Sequence, residues 1–131
     1  MRRNHLLFLV DDDVDDHEIF KSALSQVDES ILLMIAGNGK EALQVLSSLD
    51  QLPDFIFLDL NMPRMSGIQF LAEIKKSELL RGIPVLVYST SDSPHDKERA
   101  MTAGAEQFIT KPARFSELCE ILQVVLKQGV S

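Results

Sequence analysis

The sequence predicts an α/β fold: a doubly wound, five-stranded parallel sheet with helices on both faces. Three observations carry this expectation. Short apolar runs alternate along the chain with longer segments of helical periodicity. The runs are apolar almost throughout, with none of the in–out alternation of a half-solvated sheet, so both faces are covered. Turn-forming residues such as Gly37-Asn38-Gly39, Pro53 and Gly82-Ile83-Pro84 punctuate the alternation.

The elements follow in order. Leu6-Leu7-Phe8-Leu9-Val10 makes a first strand over 6–10, and a helix over 14–27 carries Val14, Ile19, Phe20, Ala23, Leu24 and Val27 as its apolar stripe. Ile31 to Ala36 forms a second strand, and a helix over 39–49 buries Ala42, Leu43, Val45, Leu46 and Leu49. Pro53-Asp54 opens a third strand over 55–58, followed by a helix over 67–76 with Ile68, Phe70, Leu71 and Ile74. A fourth strand over 85–88 leads to a helix over 94–103 that stops at Gly104. A fifth strand over 107–110 precedes a helix over 115–128, with Phe115, Leu118, Ile121, Leu122, Val125 and Leu126 at helical spacing. The expected strand order is the flavodoxin-like 2-1-3-4-5, although the pattern also admits the other doubly wound order.

Length and composition bound the function. At 131 residues the chain reads as a single domain spanning 1–131. A net charge of −7 argues against nucleic-acid binding. No apolar run approaches the roughly 20 residues that cross a bilayer. The run after the basic Met1–His5 segment is too short for a signal peptide. A cytoplasmic location is expected, and the lone Cys119 agrees with a reducing compartment.

In an open parallel sheet the strand C-termini share one edge, where ligands bind. That edge would gather Asp11 and Asp12 after the first strand, Asp59 after the third, Ser89 after the fourth and Lys111 after the fifth. Asp59 can be a nucleophile that accepts a phosphoryl group as an acyl phosphate. Two anionic reactants need positive charge between them. Asp11, Asp12 and Asp59 would hold Mg²⁺, Lys111 would hold a phosphoryl oxygen, and Ser89 would donate to another. Asp13, Asp15 and Asp16 suit the start of a helix, and Ser89-Thr90-Ser91 has the composition of a helix cap. An EF-hand reading of Asp11, Asp13 and Asp15 fails, because its sixth position is Asp16 and its twelfth Ser22. His5, His17 and His95 share no metal-ligand spacing and read as solvated surface residues.

These residues, with Asp59-Leu60-Asn61-Met62-Pro63-Arg64-Met65-Ser66-Gly67 and Lys111-Pro112, resemble the receiver domain of bacterial two-component response regulators of the single-domain chemotaxis type. The resemblance implies that Asp59 is the phosphoacceptor, and that Asp12 binds Mg²⁺ directly, Asp11 through water and Asn61 through its backbone carbonyl. It implies that Ser89 is the switch hydroxyl with Thr90 beside it, Lys111 the phosphoryl-binding lysine, Phe108 the switch aromatic, and Lys111–Pro112 a cis bond. It further implies a histidine kinase or phosphorelay protein as donor and a downstream protein target. The domain would catalyse only its own phosphorylation and dephosphorylation, with no nucleic acid or membrane engaged. A homodimer through the face of the fourth helix, fifth strand and fifth helix is an open arrangement. Two alternatives stand beside this: a phosphohydrolase of the haloacid dehalogenase type, and a receiver-like binding module that is never phosphorylated.

Overall fold

The computed structural model describes residues 5–129; residues 1–4 of the basic opening segment, and 130–131, lie outside it. Five β-α units run in order: β1 (Leu6–Val10), α1 (Val14–Val27), β2 (Leu32–Ala36), α2 (Gly39–Ser47), β3 (Phe55–Leu58), α3 (Gly67–Lys76), β4 (Val85–Ser89), α4 (Pro94–Thr102), β5 (Gln107–Thr110) and α5 (Phe115–Gly129). All strands are parallel, in the order β2-β1-β3-β4-β5. The central strands are apolar apart from the Tyr88-Ser89 end of β4, because both of their faces are covered.

Alternate residues along each strand face opposite sides, and the core divides accordingly. On one face Leu7, Leu9, Phe55, Phe57, Leu86 and Tyr88 pack against Phe20, Ala23 and Leu24 of α1 and Leu118, Leu122 and Val125 of α5. On the other, Phe8, Val10, Ile56, Leu58, Val85 and Val87 meet α2, α3 and Ala100 of α4. Phe20, Phe57 and Tyr88 form an edge-to-face aromatic trio, with centroids 5.0 Å apart for Phe20–Phe57 and 5.6 Å for Phe20–Tyr88.

The apolar stripe of α1 is narrower than its sequence suggests. Phe20, Ala23 and Leu24 are buried and Val27 half-buried, whereas Val14 is 67% and Ile19 46% exposed. At about 100° per residue the buried arc recurs at i, i+3, i+4 and i+7, and both outliers fall off it. Phe115 likewise lies 41% exposed at the first turn of α5. Caps fix the helix starts: Asp13, Asn38, Ser66 and Ser93 each accept a backbone N–H of the first turn. The cap of α4 is thus Ser93, with Pro94 at the first helical position, rather than the Ser89–Ser91 run.

Phe57 is fully buried within the aromatic trio. Its replacement by alanine is expected to cost about 3 to 5 kcal/mol of stability, read as a lower urea midpoint. A loss under about 1 kcal/mol would mean that the trio is not the packed centre described.

Candidate functional site

The ladder hydrogen bonds of the sheet continue past the strands into the residues beyond them. The amide of Asp11 donates to the Ala36 carbonyl at 3.0 Å, that of Asp59 to the Val10 carbonyl at 2.9 Å, and that of Lys111 to the Ser89 carbonyl at 2.7 Å. Four strand ends therefore deliver their polar residues to one edge with the main chain already fixed. Gly67, opening α3, lies so close behind this edge that a Cβ there would stand 2.5 Å from the Asp59 carbonyl oxygen. Only glycine permits that approach.

Asp11 and Ser89 are wholly buried and Asp59 is 7% exposed, while Asp12 faces solvent. Carboxylate oxygens of Asp11, Asp12 and Asp59 lie within 4.8 Å of one another. Three hard oxygen donors at that spacing, one open to solvent, suit a divalent cation that keeps some of its water. Burial pushes the Asp59 carboxyl up to about 6; Lys111 opposes the shift, while Asp11 and Asp12 add to it. Asp11 is also raised, chiefly by burial, against hydrogen bonds from Lys111 and the Asp13 amide. The donor set thus carries a charge excess that a divalent cation would relieve.

Lys111 reaches back across the edge to Asp11 Oδ2 at 2.9 Å and Asp16 Oδ2 at 2.6 Å. Burial alone would lower its pKa, but these bonds outweigh it and hold the ammonium above its ordinary range. Nζ also stands 5.3 Å from the Tyr88 ring centroid, and the phenol is pushed up to about 12 by burial and by Asp16. Ser89 Oγ accepts the Ser91 amide at 3.2 Å. Ser91 Oγ in turn donates to Asp96 Oδ2 at 2.7 Å and accepts the Ser93 amide at 3.2 Å.

The sequence-derived set is thus only partly gathered into direct contact. Asp11, Asp12 and Asp59 converge, and Lys111 bonds Asp11. Asn61 and Thr90 are exposed, although the Asn61 amide donates to Asp59, and Phe108 is half-buried against the core. The cis bond expected before Pro112 is not found: every peptide bond among the described residues is trans. Trans is the lower-energy isomer for an X–Pro bond, and Lys111 reaches both carboxylates with it.

Sequence reasoning missed two contributors. Asp16 was expected to serve the helix dipole but pairs with Lys111, 95 positions away. His17 is no free surface histidine, since its Nε2 donates to the Asp11 carbonyl. His5 is also half-buried, with Nδ1 3.5 Å from Asp54 Oδ2. A cavity of about 470 Å³ at the opposite end of the strands, lined by His5, Val27, Ile31 and Leu126 among others, contains none of the site residues.

Residues 7–123 match the family described as response regulator receiver domain. The chain belongs to that family. Two-component response regulator ORR3 of Oryza sativa is 35% identical over 115 residues, covering 86% of this chain and 87% of that protein. Sensor histidine kinase CheAY of Helicobacter pylori is 30% identical over 127 residues, covering 97% of this chain, which spans only 15% of that kinase. Among solved structures, the phosphorylated cyanobacterial phytochrome response regulator RcpA superposes with a TM-score of 0.89 at 31% identity, covering 98% of this chain and 96% of the other. The Mn²⁺-bound form of response regulator Rcp1 gives 0.81 at 27% identity, over 94% and 92%. The receiver is therefore homologous to stand-alone response regulators, in a family that signals, and its aspartate cluster is compatible with Mg²⁺. Neither a haloacid-dehalogenase-type hydrolase nor a non-phosphorylated binding module gains support from these likenesses. Among the described residues no helix is long and apolar enough to cross a membrane.

The raised Asp59 carboxyl sets a sign for pH dependence. Its folded-state pKa of about 6 lies above the ordinary 3.8, so the folded protein holds this proton more tightly than the unfolded chain. Its contribution to stability therefore falls as pH rises from about 4 to about 6, and the penalty is complete above that. Without divalent cation, Asp59→Asn is expected to be more stable than wild type at pH 7, by on the order of 1 to 3 kcal/mol. The gap should close below about pH 4. Urea unfolding in chelator at several pH values checks this, and a less stable variant at pH 7 would refute it.

Proposed function

We propose that this chain is a single-domain receiver that takes a phosphoryl group onto Asp59 from a partner histidine kinase or phosphorelay protein. The observation that carries the reading is the Asp59 carboxylate itself. It is nearly buried at a strand end, with Asp11 and Asp12 oxygens within 4.8 Å and with Lys111 in the same charge network. A carboxylate oxygen of Asp59 would attack phosphorus, forming an acyl phosphate as the bond from phosphorus to the donor's nitrogen or oxygen breaks. Mg²⁺ held by Asp11, Asp12, Asp59 and the backbone carbonyl of Asn61 would supply the positive charge that two anionic reactants need. Lys111 holds a phosphoryl oxygen as a fixed cation, and Ser89 Oγ donates to another after leaving the Ser91 amide.

The output follows from what those groups leave behind. Ser89 moving toward Asp59 lets the half-buried Phe108 turn inward, changing the exposed face of α4, β5 and α5. A phosphoryl group shifts this equilibrium only through its different contacts in the two states. The signal then leaves by contact with a downstream protein or by onward phosphotransfer, in the cytoplasm. The domain acts catalytically on nothing but its own phosphorylation and hydrolysis.

Intact-mass analysis after incubation with acetyl phosphate, with and without Mg²⁺, tests this. One phosphoryl adduct is expected, dependent on Mg²⁺ and absent in Asp59→Asn. A folded protein that gains no adduct and hydrolyses no donor would overturn the reading.

A further inference from the structure

Lys111 makes no ion pair with Asp59 among the described residues, although the two lie in one charge network. Among the described residues its ion pairs are with Asp16, at 2.6 Å, and Asp11, at 2.9 Å. An ammonium has three donors, and two are committed to carboxylates other than the acceptor. We propose that Asp16 is a positioning residue: it holds Lys111 back from Asp59 in the resting protein, and the breaking of that bond sets how readily the phosphorylated state forms. The proposal rests on the phosphoacceptor reading of Asp59.

The two anchors of Lys111 differ in what becomes of them. Asp11 also belongs to the cluster with Asp12 and Asp59, so a cation there draws its charge away from the lysine. Asp16 lies outside that cluster and keeps its full charge for Nζ. The start of the helix does not need its carboxylate either, since Asp13 caps α1 and accepts from the amides of Asp15 and Asp16. Nor can Asp16 follow the lysine inward. One turn further on, Phe20 is fully buried and wedged against Phe57 and Tyr88, so α1 is fixed to the sheet. Phosphorylation takes the charge at Asp59 from the one of a carboxylate to about two on the acyl phosphate, which draws Nζ toward a phosphoryl oxygen and away from Asp16 while the helix stays in place. The Asp16 bond is therefore lost, at least in part, in the phosphorylated state, and it counts against that state.

The test uses the whole chain with beryllofluoride, a non-transferable mimic of a phosphoryl group, at saturating Mg²⁺. Asp16→Asn is expected to bind the mimic roughly three- to tenfold more tightly than wild type. Asp16→Glu, which restores the charge one methylene further out, should return affinity toward wild type. Asp15→Asn removes an exposed charge from the same turn without touching Lys111 and measures the general effect of charge. In metal-free protein, a double-mutant cycle of Asp16→Asn with Lys111→Met should show unfolding free energies that do not add. Equal or weaker binding by Asp16→Asn overturns the proposal, as does a gain no larger than that of Asp15→Asn. If the wild type and Asp59→Asn are both indifferent to the mimic, the phosphoacceptor reading fails first and this inference falls with it.

Discussion

Asp11 and Asp59 stand almost out of contact with water, and the cost of holding two charged carboxylates there, burial first and their mutual repulsion after it, is the constraint around which the rest of the site is arranged. In such surroundings like charges interact far more strongly than at the surface. The backbone offers no relief. Val10 pairs with Leu58 in the β1–β3 ladder, and the next amide, that of Asp59, is bonded to the Val10 carbonyl. Separating the two carboxylates would mean breaking the centre of the sheet. Compensation must come from side chains instead, and Lys111, arriving from the far side of the crevice, supplies one charge against several. What remains uncompensated would favour a cation at this edge.

The fold was legible because burial on both faces leaves little room for ambiguity. A run such as Phe55–Leu58, apolar at every position and bounded by Pro53 and Asp59, is a covered strand or it is nothing stable. Helix α1 was less legible. Its apolar residues exceed the arc that packing uses, and Val14 and Ile19 stand off the spacing shared by Phe20, Ala23, Leu24 and Val27. Exposed apolar residues are ordinary on protein surfaces, so counting them overstates the width of a buried stripe.

The site divides along the same line. The placement of Asp11, Asp12, Asp59, Ser89 and Lys111 at one edge was legible because topology alone brings strand ends together, and the sequence shows where the strands end. The pairing of Asp16 with Lys111 was not, because it depends on where a lysine on another element directs its Nζ. An acidic residue in a helical first turn already has an adequate explanation in the helix dipole, and that explanation hid its partner. His17 fails for a similar reason: a histidine that donates to a backbone carbonyl leaves no trace in residue spacing.

The hydrogen bonds around Ser89 explain how a change at this edge could reach a distant surface. Its Oγ accepts the Ser91 amide, and the Ser91 carbonyl accepts Thr110 Oγ1 at 3.2 Å, joining the loop to the end of β5. Ser91 Oγ bonds Asp96 in the first turn of α4. A hydroxyl at Ser89 that turned toward a phosphoryl group would abandon the first of these bonds, and the loop could not recover it without moving both of its other attachments. Phe108 lies on β5 two residues before Thr110, half-buried against the core. A network this short needs no long-range pathway. If that one side chain exchanged its partner, the change would bear directly on β4, β5 and α4, which are tied to the same loop.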